Sequence, residues 1–209
     1  MSRSKVKICG ISNIDVLKEL IEIGIDYVGF IFYSKSPRYV DIDFLETLKD
    51  IDFKNTRPVC VYVNPDKNYV FKTSSYLQNP VLQFHGDEDA TFCESFELDY
   101  WKALRIGKKK DLETTSLYQS AEAILLENHK DGMYGGTGES FNWEILHDHK
   151  NEKQNFVLSG GINLENVDNA LNTNSWCLDI NSGVESSEGV KDIKLIKHIL
   201  EIINNYDFR

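Results

Sequence analysis

Eight short segments rich in β-branched and aromatic residues recur along this chain, and a stretch of helical period follows almost every one. Parallel strands cannot be joined by a tight turn and need a crossover, usually a helix, so this alternation reads as consecutive βαβ units. The strands are expected at Lys5–Ile8, Tyr27–Ile31, Pro58–Tyr62, Val81–Phe84, Tyr100–Leu104, Ala123–Leu126, Phe156–Leu158 and Cys177–Ile180. The first helix opens at Ser12 or Asn13, both good N-caps, and gathers Ile14, Leu17, Leu20 and Ile21 on one face. A second follows Asp41, with Phe44, Leu45, Leu48 and Ile51 as its stripe. A third follows Asn64-Pro65-Asp66, and the last runs from about Lys191 through Ile193, Ile196, Ile199, Leu200 and Ile203. Weaker helical patterns fall near Asp89–Phe96, Lys109–Gln119, Asn142–Asp148 and Leu164–Leu171.

Right-handed crossovers leave two common outcomes, a closed (β/α)8 barrel or an open doubly wound sheet. Eight units with no linker, low-complexity tract or second compositional region favour closure. The expectation is therefore an α/β chain forming one (β/α)8 TIM barrel with parallel strands over residues 1–209. That length lies near the short end of the range for this fold, about 200 residues upward, and leaves little room for added domains.

A formal net charge of −10 argues against broad nucleic-acid or anionic-membrane binding, which needs a basic surface. A locally positive pocket for a small anion is compatible with it. The longest apolar run, Tyr27 to Tyr33, is far short of the ~20 residues of a membrane helix. The opening MSRSKVKICG has no apolar core of a signal peptide, so the cytoplasm is the expected location. Cys9, Cys60, Cys93 and Cys177 are far apart and form no CxxC pair, as expected of free thiols in a reducing compartment rather than of a metal or dithiol site.

Barrel enzymes place their chemistry at the C-terminal ends of the strands. Those connections are the unusual ones here: Cys9-Gly10-Ile11-Ser12, Tyr33 to Tyr39, His85-Gly86-Asp87, Glu127 to Ser140, Ser159-Gly160-Gly161 and Asn181-Ser182-Gly183. The opposite connections look structural. At the ends of strands seven and eight, Gly160, Gly161, Ser182 and Gly183 let main-chain N–H groups approach an anion, and the N-termini of the following helices would add positive potential. Ordinary glycine turns are the plain alternative for each alone, but their pairing at consecutive strands points to a phosphate site. Gly135-Gly136-Thr137-Gly138 is no Walker loop, because no Lys-Ser or Lys-Thr follows, and Phe141 breaks a GxGxxG reading. Gly135, Gly136 and Gly138 suit a loop that covers substrate, although a plain connection fits their composition nearly as well.

Alternation along the first strand puts Lys7 and Cys9 on one face and Val6 and Ile8 on the other. If Ile8 packs on the helices, Lys7 and Cys9 face the barrel axis, and the cation could lower the thiol pKa toward neutrality. A buried small hydrophobe is what most lone cysteines are. Glu127 ends strand six, where a partly buried carboxyl can serve as general acid, and Asp179 is a second carboxylate beside the phosphate turn. Solvated or ion-paired loop acids are the usual alternative. Arg38 has the planar fork that suits a substrate carboxylate, and His85 could bind substrate or only its own loop. His147 and His149, two apart, do not make a metal pair.

An ordered set of motifs carries more. Lys7-Ile8-Cys9-Gly10-Ile11, Val28-Gly29-Phe30-Ile31-Phe32 with Ser36-Pro37-Arg38-Tyr39, Val61-Tyr62-Val63-Asn64 and Leu82-Gln83-Phe84-His85-Gly86 come first. Tyr134-Gly135-Gly136-Thr137-Gly138, Leu158-Ser159-Gly160-Gly161 and Asp179-Ile180-Asn181-Ser182-Gly183-Val184-Glu185 follow. Together they resemble the phosphoribosylanthranilate isomerases of tryptophan biosynthesis along nearly the whole chain. The resemblance implies a cofactor-free, metal-free (β/α)8 enzyme that converts N-(5′-phosphoribosyl)anthranilate into the corresponding 1-deoxyribulose 5-phosphate by an Amadori rearrangement. It implies Cys9 as general base at C2′, Arg38 on the anthranilate carboxylate, and the strand-seven and strand-eight turns as the phosphate cradle. The family's general acid is an Asp at the end of strand six, and Glu127 stands there instead. One added methylene moves the carboxyl by roughly 1 Å, a displacement that can cost about a hundredfold in rate unless the backbone compensates. Asn181 replaces a common Ser. The only partner implied is a phosphorylated aminosugar; a monomer is favoured, though the sequence leaves the oligomeric state open.

Two rivals bracket this expectation. An indoleglycerol-phosphate synthase would need a Lys and Glu set at strand ends, and a ribulose-phosphate epimerase a metal-binding His and Asp set; neither set is found. A phosphosugar-binding relative without catalysis, or with altered specificity, is the alternative of a different class.

Overall fold

The computed structural model describes residues 3–128, 143–146 and 154–206. Eight parallel strands close into one barrel in sequence order: β1 (Lys5–Cys9), β2 (Tyr27–Ile31), β3 (Arg57–Tyr62), β4 (Val81–Phe84), β5 (Tyr100–Ile106), β6 (Ala123–Asn128), β7 (Asn155–Ser159) and β8 (Cys177–Ile180). Each expected strand is present, several extended by a residue or two at their ends. The ring closes where β1 pairs with β8, with Lys7 opposite Asp179 and Ile8 opposite Ile180.

The helices are α1 (Ile14–Glu22), α2 (Ile42–Glu46), α3 (Lys67–Ser74), α4 (Ala90–Glu94), α5 (Val167–Asn172) and α6 (Ile193–Asn205). Asn13 caps α1 through its side-chain oxygen, which accepts from the N–H groups of Asp15 and Val16, and Asp192 does the same for α6 at Lys194 and Leu195. The second helix is shorter than its apolar stripe. It ends at Thr47, whose N–H turns to the carbonyls of Phe44 and Leu45, yet Leu48 is still buried and Ile51 still packs on the core. The segments after β5 and β6 are 3-10 rather than α-helical, at Lys109–Leu117 and Trp143–Leu146.

Period-two alternation sorts the strands into two cores. Val6, Ile8, Val28, Phe30, Tyr62, Leu126 and Ile180 point outward into the shell beneath the helices. Cys9, Val59, Val61, Val81, Ala103, Leu125, Val157 and Cys177 form a second cluster along the axis. At the strand-entry end the axis is stopped by an aromatic floor. Tyr27 and Trp101 meet edge-on with ring centroids 4.9 Å apart, Trp176 lies 5.8 Å from Trp101, and the Lys5 ammonium sits 4.6 Å from the Trp176 ring centre.

An addition unforeseen in the sequence follows β8. A 3-10 turn at Ser182–Val184 leads into an antiparallel hairpin, β9 (Glu185–Ser187) and β10 (Val190–Lys191), before α6 begins. No helix among the described residues is long and apolar enough to cross a membrane.

Candidate active site

The same alternation carries Lys7 and Cys9 on β1, Gln83 on β4 with His85 just past its end, Glu127 on β6 and Asp179 on β8 to the inner side of the barrel, toward its C-terminal mouth. Ile8 faces the helices, so Lys7 and Cys9 point inward as expected. Lys7 is wholly buried, and its Nζ donates to Asp179 Oδ2 at 2.8 Å. Burial opposes the ammonium charge, but Asp179 and Cys9 outweigh it, and the Lys7 pKa stands above its ordinary value. The second carboxyl oxygen, Asp179 Oδ1, is buried with no hydrogen-bond partner among the described residues.

Cys9 is 5% exposed. The expectation of a thiol pKa lowered toward neutrality is not met. Burial pushes it up, the Lys7 charge pulls it down, and the Asp179 carboxylate pushes it up again, so the net shift is upward. Lys7 is spoken for by Asp179 and cannot lend its full charge to the sulfur. Gly29 is the register partner of Cys9 across β1 and β2. A β-carbon there would lie 2.8 Å from Cys9 Sγ and 3.0 Å from Lys7 Cε, so the space holding the thiol exists because position 29 has no side chain.

His85 does not stand free for substrate. Its Nε2 lies 2.8 Å from Glu127 Oε1, and its Nδ1 lies 2.9 Å from Gln83 Nε2. The reach that Glu127 gains over an Asp is taken up by this contact with His85. The loop carrying His85 is itself braced from outside: Lys102 Nζ donates to Gly86 O at 2.6 Å and to Glu88 Oε2 at 2.9 Å, and Glu88 Oε2 also accepts from Gly86 N.

Arg38 is nearly buried and bidentate on Glu185, Nε to Oε1 at 2.7 Å and Nη2 to Oε2 at 2.6 Å. Lys191 Nζ joins Glu185 Oε1 at 2.6 Å and Asn181 Oδ1 at 2.6 Å. Desolvation opposes the Glu185 charge, but hydrogen bonds from Arg38 and Lys191 prevail and hold its pKa at about 2. The fork expected on a substrate carboxylate is thus already aligned by a protein carboxylate through two of its three nitrogens.

Gly160 and Gly161 adopt φ of +94° and +69°, and the turn after β8 packs directly on the turn after β7. A β-carbon on Gly183 would fall 1.9 Å from the Ile162 carbonyl oxygen. Ser182 opens the 3-10 turn beside it. The expected helix N-terminus after β8 is absent from this turn, because the hairpin intervenes and α6 starts only at Ile193. Any anion here meets main-chain turns rather than a long helix dipole. Gly135, Gly136 and Gly138 lie outside the described residues, as do His147 and His149. Among the described residues, no group of three or more His, Cys, Asp or Glu side chains is placed to hold a metal ion.

Sequence reasoning missed Gln83, Gly29 and the Glu185–Lys191 pair. Parity with His85 on β4 and register with Cys9 were available signals for the first two. Nothing local signals a contact between Arg38 and a residue 147 positions away.

The family model described as N-(5′-phosphoribosyl)anthranilate (PRA) isomerase matches residues 6–202. The N-(5′-phosphoribosyl)anthranilate isomerase of Nitrosomonas europaea is 35% identical over 205 residues, spanning 97% of this chain and 96% of that protein. Its counterpart in Thermoanaerobacter sp. is 37% identical over 201 residues, 94% of this chain and 96% of the other. The crystal structure of phosphoribosyl anthranilate isomerase from Thermotoga maritima superposes with a TM-score of 0.87 at 30% identity, covering 97% of this chain and all of that one. A phosphoribosyl anthranilate isomerase complexed with reduced 1-(o-carboxyphenylamino)-1-deoxyribulose 5-phosphate superposes with a TM-score of 0.85 at 29% identity, over 97% of this chain.

Proposed function

This chain belongs to the N-(5′-phosphoribosyl)anthranilate isomerase family, and we propose that it runs that isomerisation with Cys9 as general base and Glu127 as general acid. The reaction is a step of tryptophan biosynthesis, and opening the ring and moving the hydrogen call for one general acid and one general base. One observation carries the residue assignment: Cys9 and Glu127 share the inner face and the C-terminal mouth of one barrel, with the β7 and β8 turns on the same rim.

In this reading the 5′-phosphate lies against Gly160, Gly161, Ser182 and Gly183, and the anthranilate carboxylate faces Arg38. Glu127 gives its proton to the furanose ring oxygen. The C1′–O bond breaks as the nitrogen lone pair forms a protonated Schiff base. Cys9 then takes the C2′ proton, the electron pair moves to the nitrogen, and the resulting enol amine becomes the ketone as C1′ gains a proton and the C2′ hydroxyl loses one. The resting thiol is protonated; the iminium charge placed beside it by ring opening favours loss of that proton to water at the barrel mouth, and the thiolate so formed is the base that takes the C2′ proton. The unpartnered Asp179 Oδ1 suits a substrate N–H or hydroxyl. Phosphate binding far from C1′ and C2′ holds the opened chain in reactive geometry. The loop with Gly135, Gly136 and Gly138 is assigned to covering the substrate.

The whole chain, residues 1–209, acts as one catalytic domain, as a cytoplasmic monomer without cofactor. Steady-state turnover of phosphoribosylanthranilate, followed by loss of its fluorescence with no metal or nucleotide added, tests the reading. Cys9→Ala and Glu127→Gln are each expected to lose kcat at least 100-fold with KM changed modestly, within the usual range for a general acid or base. Near wild-type turnover in either variant removes that residue from its role, and ligand binding without turnover in the unaltered chain removes the activity.

A further inference from the structure

Resting on the assignment of Glu127 as general acid, we infer that Gln83 is a positioning residue: through His85 it decides which oxygen of Glu127 carries the proton. Gln83, His85 and Glu127 form one hydrogen-bonded line, with separations of 2.9 and 2.8 Å. Gln83 is 1% exposed and points along the barrel axis between its register neighbours Val61 and Trp101. Its Oε1 is buried with no partner among the described residues. Turning the amide over would put two N–H donors where there is now one lone acceptor. Valine offers no side-chain acceptor, and the Trp101 indole N–H already donates to Glu122. One N–H is spare in either orientation, so turning the amide over would strand a second N–H in place of the oxygen; an orphaned buried N–H is less tolerated than an under-satisfied oxygen, and the amide N–H therefore faces the imidazole.

The consequences run outward in order. An N–H arriving at Nδ1 makes that atom an acceptor and puts the proton of the neutral ring on Nε2. Nε2–H then donates to Glu127 Oε1 and makes Oε1 the carbonyl-like oxygen of the acid. The acidic proton is confined to Oε2, which makes no hydrogen bond to any described residue. A carboxyl group left to itself could hold its proton on either oxygen, and only one of them can face the ring oxygen of a bound sugar. The longer side chain at position 127 is therefore clamped at one oxygen and oriented at the other, where a free Glu would have an extra rotatable bond to lose.

Two measurements test this. In protein carrying 15N-labelled histidine at neutral pH, the His85 resonances, assigned by their disappearance in His85→Gln, should show a bare Nδ1 and a protonated Nε2. A proton on Nδ1, alone or with one on Nε2, overturns the proposal whatever the kinetics show. The second measurement is a cycle of Gln83→Met with Glu127→Gln. Gln83→Met keeps the side-chain length, removes the donor, and should lower kcat about 10- to 100-fold with KM within about twofold, the scale of a carboxyl misplaced by roughly 1 Å. In the Glu127→Gln background the same substitution should cost nothing further, because no proton is left to direct. Equal fractional losses in both backgrounds would show a merely structural role and overturn it. Should Glu127→Gln alone leave turnover intact, the acid assignment falls, and the tautomer measurement still reports on Gln83 and His85.

Discussion

Lys7 Nζ and Asp179 Oδ2 sit 2.8 Å apart across the seam where the first and last strands join, one inward-facing position before Cys9. This pair splits its influence on the thiol, since the ammonium favours the thiolate and the carboxylate opposes it. Asp179→Asn should therefore lower the Cys9 pKa, and Lys7→Met should raise it further. The pH dependence of Cys9 alkylation by iodoacetamide reads both, because only the thiolate reacts. The midpoint should move to lower pH in the first variant and to higher pH in the second. Lys7→Met also leaves a buried carboxylate without its partner and should cost about 3–5 kcal/mol in urea unfolding. Midpoints that do not separate would mean that the pair does not act on the sulfur.

Gly29→Ala tests the space that holds the thiol. The new methyl would meet Cys9 Sγ at 2.8 Å and the Cys9 Cα at 3.2 Å, so the sulfur has to move. We expect kcat to fall by about 100-fold, the effect of roughly 1 Å of displacement, with KM for substrate little changed because the proposed phosphate and carboxylate contacts lie elsewhere. Unchanged turnover would show that Cys9 tolerates a different position.

Glu185→Gln removes the anion that aligns Arg38 and Lys191. KM should rise about tenfold as the Arg38 fork loses its bidentate partner. Stability should change with a distinct pH signature. A carboxyl held at about 2 in the folded chain against an ordinary 4.5 stabilises fully above 4.5, and that contribution disappears as the pH falls toward 2. The parent should lose stability across this window, and Glu185→Gln should lose markedly less, in urea titrations between pH 5 and about 2.

Gly183→Ala places a β-carbon 1.9 Å from the carbonyl of Ile162, which only backbone movement can relieve. The turns after β7 and β8 should then separate and weaken binding of the 5′-phosphate. Inorganic phosphate should become a poorer competitive inhibitor by about tenfold while Cys9 alkylation at fixed pH stays as in the parent. The converse pattern would move the anion site away from these turns.

The barrel was legible because strand identity is a local property. Runs such as Tyr27–Ile31 and Cys177–Ile180 carry β-branched and aromatic residues between polar turns, and eight of them in order leave few topologies. Alternation along β1 was enough to place Lys7 and Cys9 together. It was not enough to give the direction of the thiol shift, which is set first by burial of the sulfur and then by the balance between Lys7 and the Asp179 carboxylate, 172 residues from the lysine it holds. The end of α2 was illegible for a simpler reason. No Gly or Pro marks Thr47, and the apolar spacing continues through Leu48 and Ile51 after the helical hydrogen bonds have stopped. The hairpin was hidden in a polar stretch, Glu185 to Lys191, that reads as loop and is shaped by the ion pair of Glu185 with Arg38 in the loop after β2 and by the Lys191–Glu185 pair within it.

The packed axis, floored by Tyr27, Trp101 and Trp176, leaves the barrel open at its C-terminal mouth alone. Substrate and product must use the same doorway, so a spent sugar phosphate has to leave before a fresh one can enter. Binding the phosphate more tightly would therefore slow departure as surely as it improved capture, which sets an upper bound on how firmly the rim can hold its cargo.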